Sequence, residues 1–75
     1  MTPLNVGIYI YDNAEVLDFS GPFEVFTTAT RVAKTPYFNT FLVSESGETV
    51  TARAGYQVLS NYGFANHPPI DVLIV

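Results

Sequence analysis

Seventy-five residues with seven acids against three basic side chains, a formal charge of −4, contain no basic stripe able to follow a phosphate backbone, so no nucleic-acid contact by this segment is expected. No apolar run reaches the roughly 18 to 20 residues of a membrane span, and the N-terminus lacks the basic region and small-residue cleavage site of a signal peptide, which together point to the cytoplasm and no membrane contact. Cysteine is absent, which rules out disulfides, thiolate metal sites and a cysteine nucleophile from within these residues. Hydrophobic residues make up 48% and charged residues 13%; in a chain shorter than a usual domain of roughly 100 to 150 residues, part of that apolar surface is expected to be covered by further polypeptide.

Leu4 to Tyr11 is almost wholly apolar and rich in β-branched and aromatic residues, the pattern of a strand buried on both faces. Asp12-Asn13-Ala14-Glu15 supplies turn chemistry and ends it. Ser20-Gly21-Pro22 then precedes Phe23, Phe26, Ala29, Val32 and Ala33 at helical spacing. The predicted helix therefore starts near Pro22, with Ser20 or Gly21 as N-cap, carries Arg31 and Lys34 in its last turn, and stops at Thr35-Pro36.

Phe38 to Ser44 reads as a second strand, and the strand–helix–strand order implies a right-handed parallel crossover. Glu45 to Glu48 is a turn; Thr49–Ala52 and Gln57–Ser60 are short strand pieces around Gly55, fit for a small hairpin or arm. Asn66-His67-Pro68-Pro69 is a loop, and Ile70 to Val75 begins another buried, parallel-type strand. The fold class read from this order is α/β, the N-terminal portion of a flavodoxin-like or Rossmann-like parallel-sheet sandwich. It is incomplete as given, with residues 1–75 forming part of a single domain. The rest of that domain is the first expected partner, because an exposed apolar strand edge would otherwise promote association.

Asp18 falls, on this reading, in the strand-to-helix loop at the carboxyl edge of the first strand, where ligand crevices of open α/β sheets lie. Its apolar neighbours Leu17 and Phe19 would desolvate it and suit it to proton transfer, whereas a purely structural carboxylate would serve the helix dipole. Glu15, in the same loop, is the secondary candidate; Glu24 is a weaker one. Gly21 and Pro22 set the backbone that aims Asp18. His67, the single histidine, reads as a surface loop residue, and Asp71 as a turn or cap contact. Tyr9, Tyr11, Phe19, Phe23 and Phe26 belong mostly to the core by spacing. No phosphate loop or metal-ligand cluster is present, so neither a cofactor nor a metal is expected.

Val6-Gly7-Ile8-Tyr9-Ile10-Tyr11, Glu15-Val16-Leu17-Asp18-Phe19-Ser20-Gly21-Pro22-Phe23-Glu24-Val25-Phe26 and Pro69-Ile70-Asp71-Val72-Leu73-Ile74-Val75 together resemble the N-terminal stretch of the DJ-1/PfpI superfamily, whose members are glutamine amidotransferase-like. The Leu17-to-Pro22 segment is similar to that of isonitrile hydratases, and also to the amidotransferase-like domains that precede the DNA-binding regions of AraC-type regulators. Resemblance to the hydratases implies that Asp18 is the general acid/base beside a cysteine nucleophile, which here would lie outside the segment. The reaction would hydrate an isonitrile to an N-substituted formamide. The Gly-Gly turn that usually follows the last strand in the family is also absent, so the fragment alone is not expected to be active.

The first expectation is accordingly a hydratase-like lyase acting on a small-molecule substrate. The alternative is an effector-sensing domain of an AraC-type regulator without turnover. A chaperone or stress-response role, as in other DJ-1-like proteins, fits the aspartate segment less well. The family also implies a homodimer, whose interface the sequence does not locate.

Overall fold

The computed structural model describes Thr2–Val75. Its first strand, β1 (Leu4–Tyr9), feeds the single α-helix, α1 (Val16–Ala33), which returns the chain to β2 (Phe38–Ser44). β1 and β2 are parallel, in register from Leu4 opposite Phe38 to Tyr9 opposite Val43. A two-stranded antiparallel hairpin follows, β3 (Val50–Thr51) with β4 (Gln57–Val58), around a 3-10 turn at Arg53–Gly55. The chain then adds β5 (Tyr62–Gly63) beside β2 and crosses back to place β6 (Val72–Ile74) on the far side of β1, both parallel. The sheet order β5-β2-β1-β6 is that of part of a flavodoxin-like α/β fold. Among the described residues no helix is long and apolar enough to cross a membrane.

Strand alternation divides the sheet into two faces. Val6, Ile8 and Ile10, each at most 1% exposed, point to one side, where Phe19 of α1 and Val50 and Ala52 of the hairpin close over them. Phe23, Phe26 and Leu42 pack around that cluster, with the rings of Phe26 and Phe38 meeting edge to face at 5.0 Å. On the opposite side, Phe41 and Val43 are buried and Phe41 meets Tyr62 edge to face at 5.2 Å. Gly7 matters here, because a Cβ at that position would stand 2.8 Å from the Ile70 side chain, which folds across the strand.

The helix begins six residues earlier than the sequence pattern predicts. Glu15 is the N-cap residue, in extended conformation and without a side-chain capping bond, and both Gly21 and Pro22 lie inside the helix. Pro22 has no N–H to give the Asp18 carbonyl, a loss that together with ring crowding costs about 3 kcal/mol in a helix interior. Burial of Phe19 contributes about 1.5–3 kcal/mol in the other direction; this side chain and the packed Val16 lock the early turn onto the sheet. Local propensity is overridden by packing. The buried face also shifts: Phe19, Phe23 and Phe26 form it, whereas Ala29, Val32 and Ala33, predicted to share it, are exposed. The C-terminus matches expectation, with Lys34 left-handed at φ 55° and its N–H bonded to the Arg31 carbonyl at 3.3 Å.

Two further differences concern the later strands. β5 has no sequence signal, since two residues are too few for a period. It is held by Asn61, whose side-chain oxygen accepts the Leu42 N–H at 2.7 Å while its own N–H donates to the Leu42 carbonyl at 2.9 Å. The last strand is not buried on both faces: Leu73 is 57% exposed, because β6 stands at the sheet edge and the described residues place no helix over that side. Asp71 does act as a strand-start contact, accepting the Asn5 N–H at 2.7 Å and donating its own N–H to the Asn5 carbonyl.

Gly47 and Gly55 share a left-handed φ, 81° and 80°, yet differ in surroundings. A Cβ at Gly47 would meet the Gly63 backbone at 3.0 Å, whereas one at Gly55 would meet open space. Gly55→Ala should therefore cost about 1–2 kcal/mol, the conformational penalty alone, and Gly47→Ala measurably more. Phe19→Ala should lose about 3–5 kcal/mol. Urea unfolding followed by circular dichroism measures all three; equal losses for the two glycine variants would contradict the close approach.

Candidate functional site

Beyond the carboxyl ends of β1 and β2 lies a cavity of about 310 Å³, lined in part by Tyr9, Tyr11, Asp12, Ser44, Glu45 and Glu48. This is where parallel strands deliver their following loops and where crevices form in open α/β sheets. Its position follows from the backbone. The Ile10 N–H bonds the Val43 carbonyl at 2.8 Å, carrying the parallel pairing one step beyond Tyr9 before the chains diverge. Asn13, left-handed at φ 67°, then turns the first chain away.

Thr49 and Val50, at the start of the β3–β4 hairpin, line one side of the cavity, and the hairpin is fastened to the loop between β1 and α1 by a set of hydrogen bonds. Asp12 Oδ1 accepts the Thr51 N–H at 3.1 Å, and the Asn13 N–H donates to the Thr51 carbonyl at 2.9 Å. The Arg53 N–H donates to the Ala14 carbonyl at 2.9 Å. On the β2 side, the hydroxyl of Ser44, 3% exposed, accepts the Gly47 N–H at 3.0 Å and donates to the Glu48 carbonyl at 3.3 Å, closing the 45–48 turn. With its hydroxyl committed to the turn, Ser44 is a structural donor. The lining carries three carboxylates and no lysine, arginine or histidine. Its chemistry is that of a hydrogen-bonding, acceptor-rich pocket with two tyrosine rings, 5.1 Å apart, at the end of β1.

None of the site residues singled out from sequence, Asp18, Glu15, Gly21 and Pro22, lines this cavity. Asp18 occupies the first turn of α1, not a loop before it, and is exposed, so Leu17 and Phe19 do not desolvate it. Leu17 points to solvent and Phe19 into the core. Among the described residues the Asp18 carboxylate makes no hydrogen bond or ion pair; its backbone N–H donates to the Glu15 carbonyl at 3.0 Å. The carboxylate is favourably placed against the helix dipole. Glu15 is held by Arg53, Nη1 to Oε1 at 2.7 Å, and so braces α1 against the 3-10 turn. Gly21 makes no close approach within the described residues, since a Cβ there would meet nothing within 4 Å. Pro22 is a position inside the helix, not its start.

Tyr9 and Tyr11, grouped with the core by spacing, instead face the cavity, and Tyr9 also borders a second, apolar hollow of about 210 Å³ on the sheet face opposite α1. His67 lies there with Phe64, Ile70 and Leu73. It remains an exposed loop residue, with Nδ1 2.7 Å from the Pro68 carbonyl. Sequence reasoning missed Asp12 because it read the residue as turn chemistry alone, and missed Ser44, Glu45 and Glu48 because it took its candidates from the segment after β1. Applying the carboxyl-end rule equally to β2 would have found the last three.

No family model matches the chain, and no curated protein matches it. Two solved structures share its fold. A crystal structure of an AraC family transcriptional regulator from Pseudomonas putida superposes with a TM-score of 0.79 at 19% identity, over 95% of this chain and 44% of that one. A crystal structure of a candidate transcriptional regulator protein from Vibrio parahaemolyticus gives a TM-score of 0.78 at 18% identity, over 96% of this chain and 38% of that one. The chain thus spans less than half the length of either structure. At these identities the likeness is one of fold.

Because both partners of the Glu15–Arg53 ion pair are well exposed, Arg53→Ala should change unfolding free energy by less than about 1 kcal/mol, and that small effect should vanish in molar salt. A larger, salt-independent loss in urea titrations would mean that Arg53 holds the hairpin by packing instead.

Proposed function

We propose that this chain is the N-terminal part of an amidotransferase-like domain that senses a small molecule in an AraC-type transcription regulator, with DNA contact made outside these residues. One observation carries the reading. The cavity at the carboxyl ends of β1 and β2 is walled by hydrogen-bonding groups and aromatic rings, while the acid proposed for proton transfer, Asp18, lies outside its lining. Such a site suits recognition, in which a few placed polar groups fix the orientation of a ligand within a concave surface. The fold shared with an AraC family regulator supports the same reading. The remainder of a DJ-1/PfpI-like domain would complete the crevice.

A second reading, isonitrile hydration, is favoured by the uncommitted carboxylate of Asp18 in the first turn after β1. In that case a thiolate supplied from outside these residues adds to the terminal isonitrile carbon, Asp18 manages the proton, and water releases the formamide.

Titration of the polypeptide that carries this segment with a small-molecule panel, followed by tyrosine fluorescence, separates the two. Under the sensing reading, Ser46→Tyr, which fills the cavity from its rim, abolishes binding of any hit, and Asp18→Asn leaves it unchanged. Formamide production from an isonitrile, lost by orders of magnitude in Asp18→Asn while folding is retained, would replace it with the enzymatic reading.

A further inference from the structure

The hydrogen bonds already made in the cavity beyond β1 and β2 leave a particular set of groups for a guest. Ser44 commits its hydroxyl to the 45–48 turn, and Ser46 Oγ accepts the Glu48 N–H at 3.2 Å. One oxygen of Asp12 is taken by the Thr51 N–H. The lining keeps the second oxygen of Asp12, the carboxylates of Glu45 and Glu48, and the rings of Tyr9 and Tyr11. None of these acids is in an ion pair among the described residues, where Glu15–Arg53 is the ion pair present.

We propose that the ligand taken up there is a small organic cation with N–H donors, an alkylguanidinium or alkylammonium; the inference rests on the sensing reading and adds the chemistry of the ligand to it. The charge of the whole chain is distributed to suit such a guest. Asp12, Glu15, Asp18, Glu45 and Glu48 stand at the carboxyl end of the sheet, whereas Arg31 and Lys34 stand at the far end of α1 and Arg53 is held by Glu15. A concave site lined by one sign of charge concentrates the opposite sign. An anionic ligand would meet three carboxylates in the lining and no lysine, arginine or histidine.

Two further observations, independent of the charge, narrow the class. Among the described residues no three acids or histidines come together closely enough to hold a metal ion. The guest must therefore extend between carboxylates that stand apart, a span that a single inorganic ion does not bridge. The end of β1 also offers a braced aromatic surface, because the Tyr9 ring is flanked by Tyr11 at 5.1 Å and by Phe64 at 5.6 Å. A cation within about 6 Å of a tyrosine ring centre is attracted to its face, and a guanidinium can stack on that face while its N–H groups pair with a carboxylate. At about 310 Å³ the cavity is at the small end of ligand pockets, so the cation should carry only a short carbon chain.

Calorimetric titration of the polypeptide that carries this segment, with n-butylguanidinium, n-butylammonium, n-butylurea and pentanoate as probes, tests the assignment. n-Butylurea has the shape of n-butylguanidinium without its charge. Both cations should bind, the guanidinium about tenfold or more tighter than the urea, and pentanoate should not bind. Asp12→Asn, which keeps an oxygen for the Thr51 N–H, and Glu48→Gln should each weaken the guanidinium about tenfold and leave the urea unchanged. Glu24→Gln, which removes the same charge from the middle of α1, should change neither, and Ser46→Tyr should abolish binding. Guanidinium binding that survives Ser46→Tyr, or that is indifferent to both substitutions in the lining, would overturn the cation site. Urea or pentanoate binding as tightly as the guanidinium, or a cavity that takes none of the four while another compound's binding depends on Ser46, would overturn the cation and leave the sensing reading standing. If no compound's binding depends on Ser46, both fall together.

Discussion

Everything in this chain is built outward from β1. Val6, Ile8 and Ile10 are almost fully removed from water on one face, and Gly7 yields the other face to Ile70 and Phe41. A strand enclosed in this way cannot satisfy its polar backbone except through neighbours on both edges, and it has them in β2 and β6. The helix is positioned by the same constraint, because Phe19 must reach the Ile8–Ile10 surface. That requirement draws Gly21 and Pro22 into a helix which, by propensity, they would break.

The consequence for the candidate site is a displacement. With α1 starting at Val16, Asp18 belongs to the first helical turn and turns toward solvent, while the loop it was assigned to shrinks to Ile10–Glu15. Asp12 and the tyrosines at the end of β1 become the groups that meet the crevice, and Thr51 and Arg53 fasten the hairpin to the loop that carries them. The order β5-β2-β1-β6 also places a change of winding direction at β1, since the chain moves outward through β2 and β5 before returning across β1 to β6. A crevice at such a point is formed by loops that part from one another. The cavity found at the end of β1 and β2 lies next to it.

Much of the architecture was legible from residues. Phe38–Ser44 is the observed second strand to the residue, the 12–15 and 45–48 turns are where Asx and glycine chemistry places them, and Gly55 marks the hairpin. The helix boundary was not legible, because Ser20-Gly21-Pro22 is a sound N-terminal signal by local rules and only the burial of Phe19 defeats it. Nor could the site be read fully: Ser44, Glu45 and Glu48 are separated from Asp12 by more than thirty residues and share no motif with it.

What the sequence by itself determined is the α/β class, the parallel β1–β2 unit and the loop character of His67, since each follows from local periodicity, turn chemistry or side-chain type. The tertiary structure alone decided the rest: where α1 begins, and which carboxylates surround a common space. The physical reason is that a periodic pattern fixes which side of an element turns inward, whereas the start of an element and the company its polar groups keep depend on contacts between residues far apart in the chain.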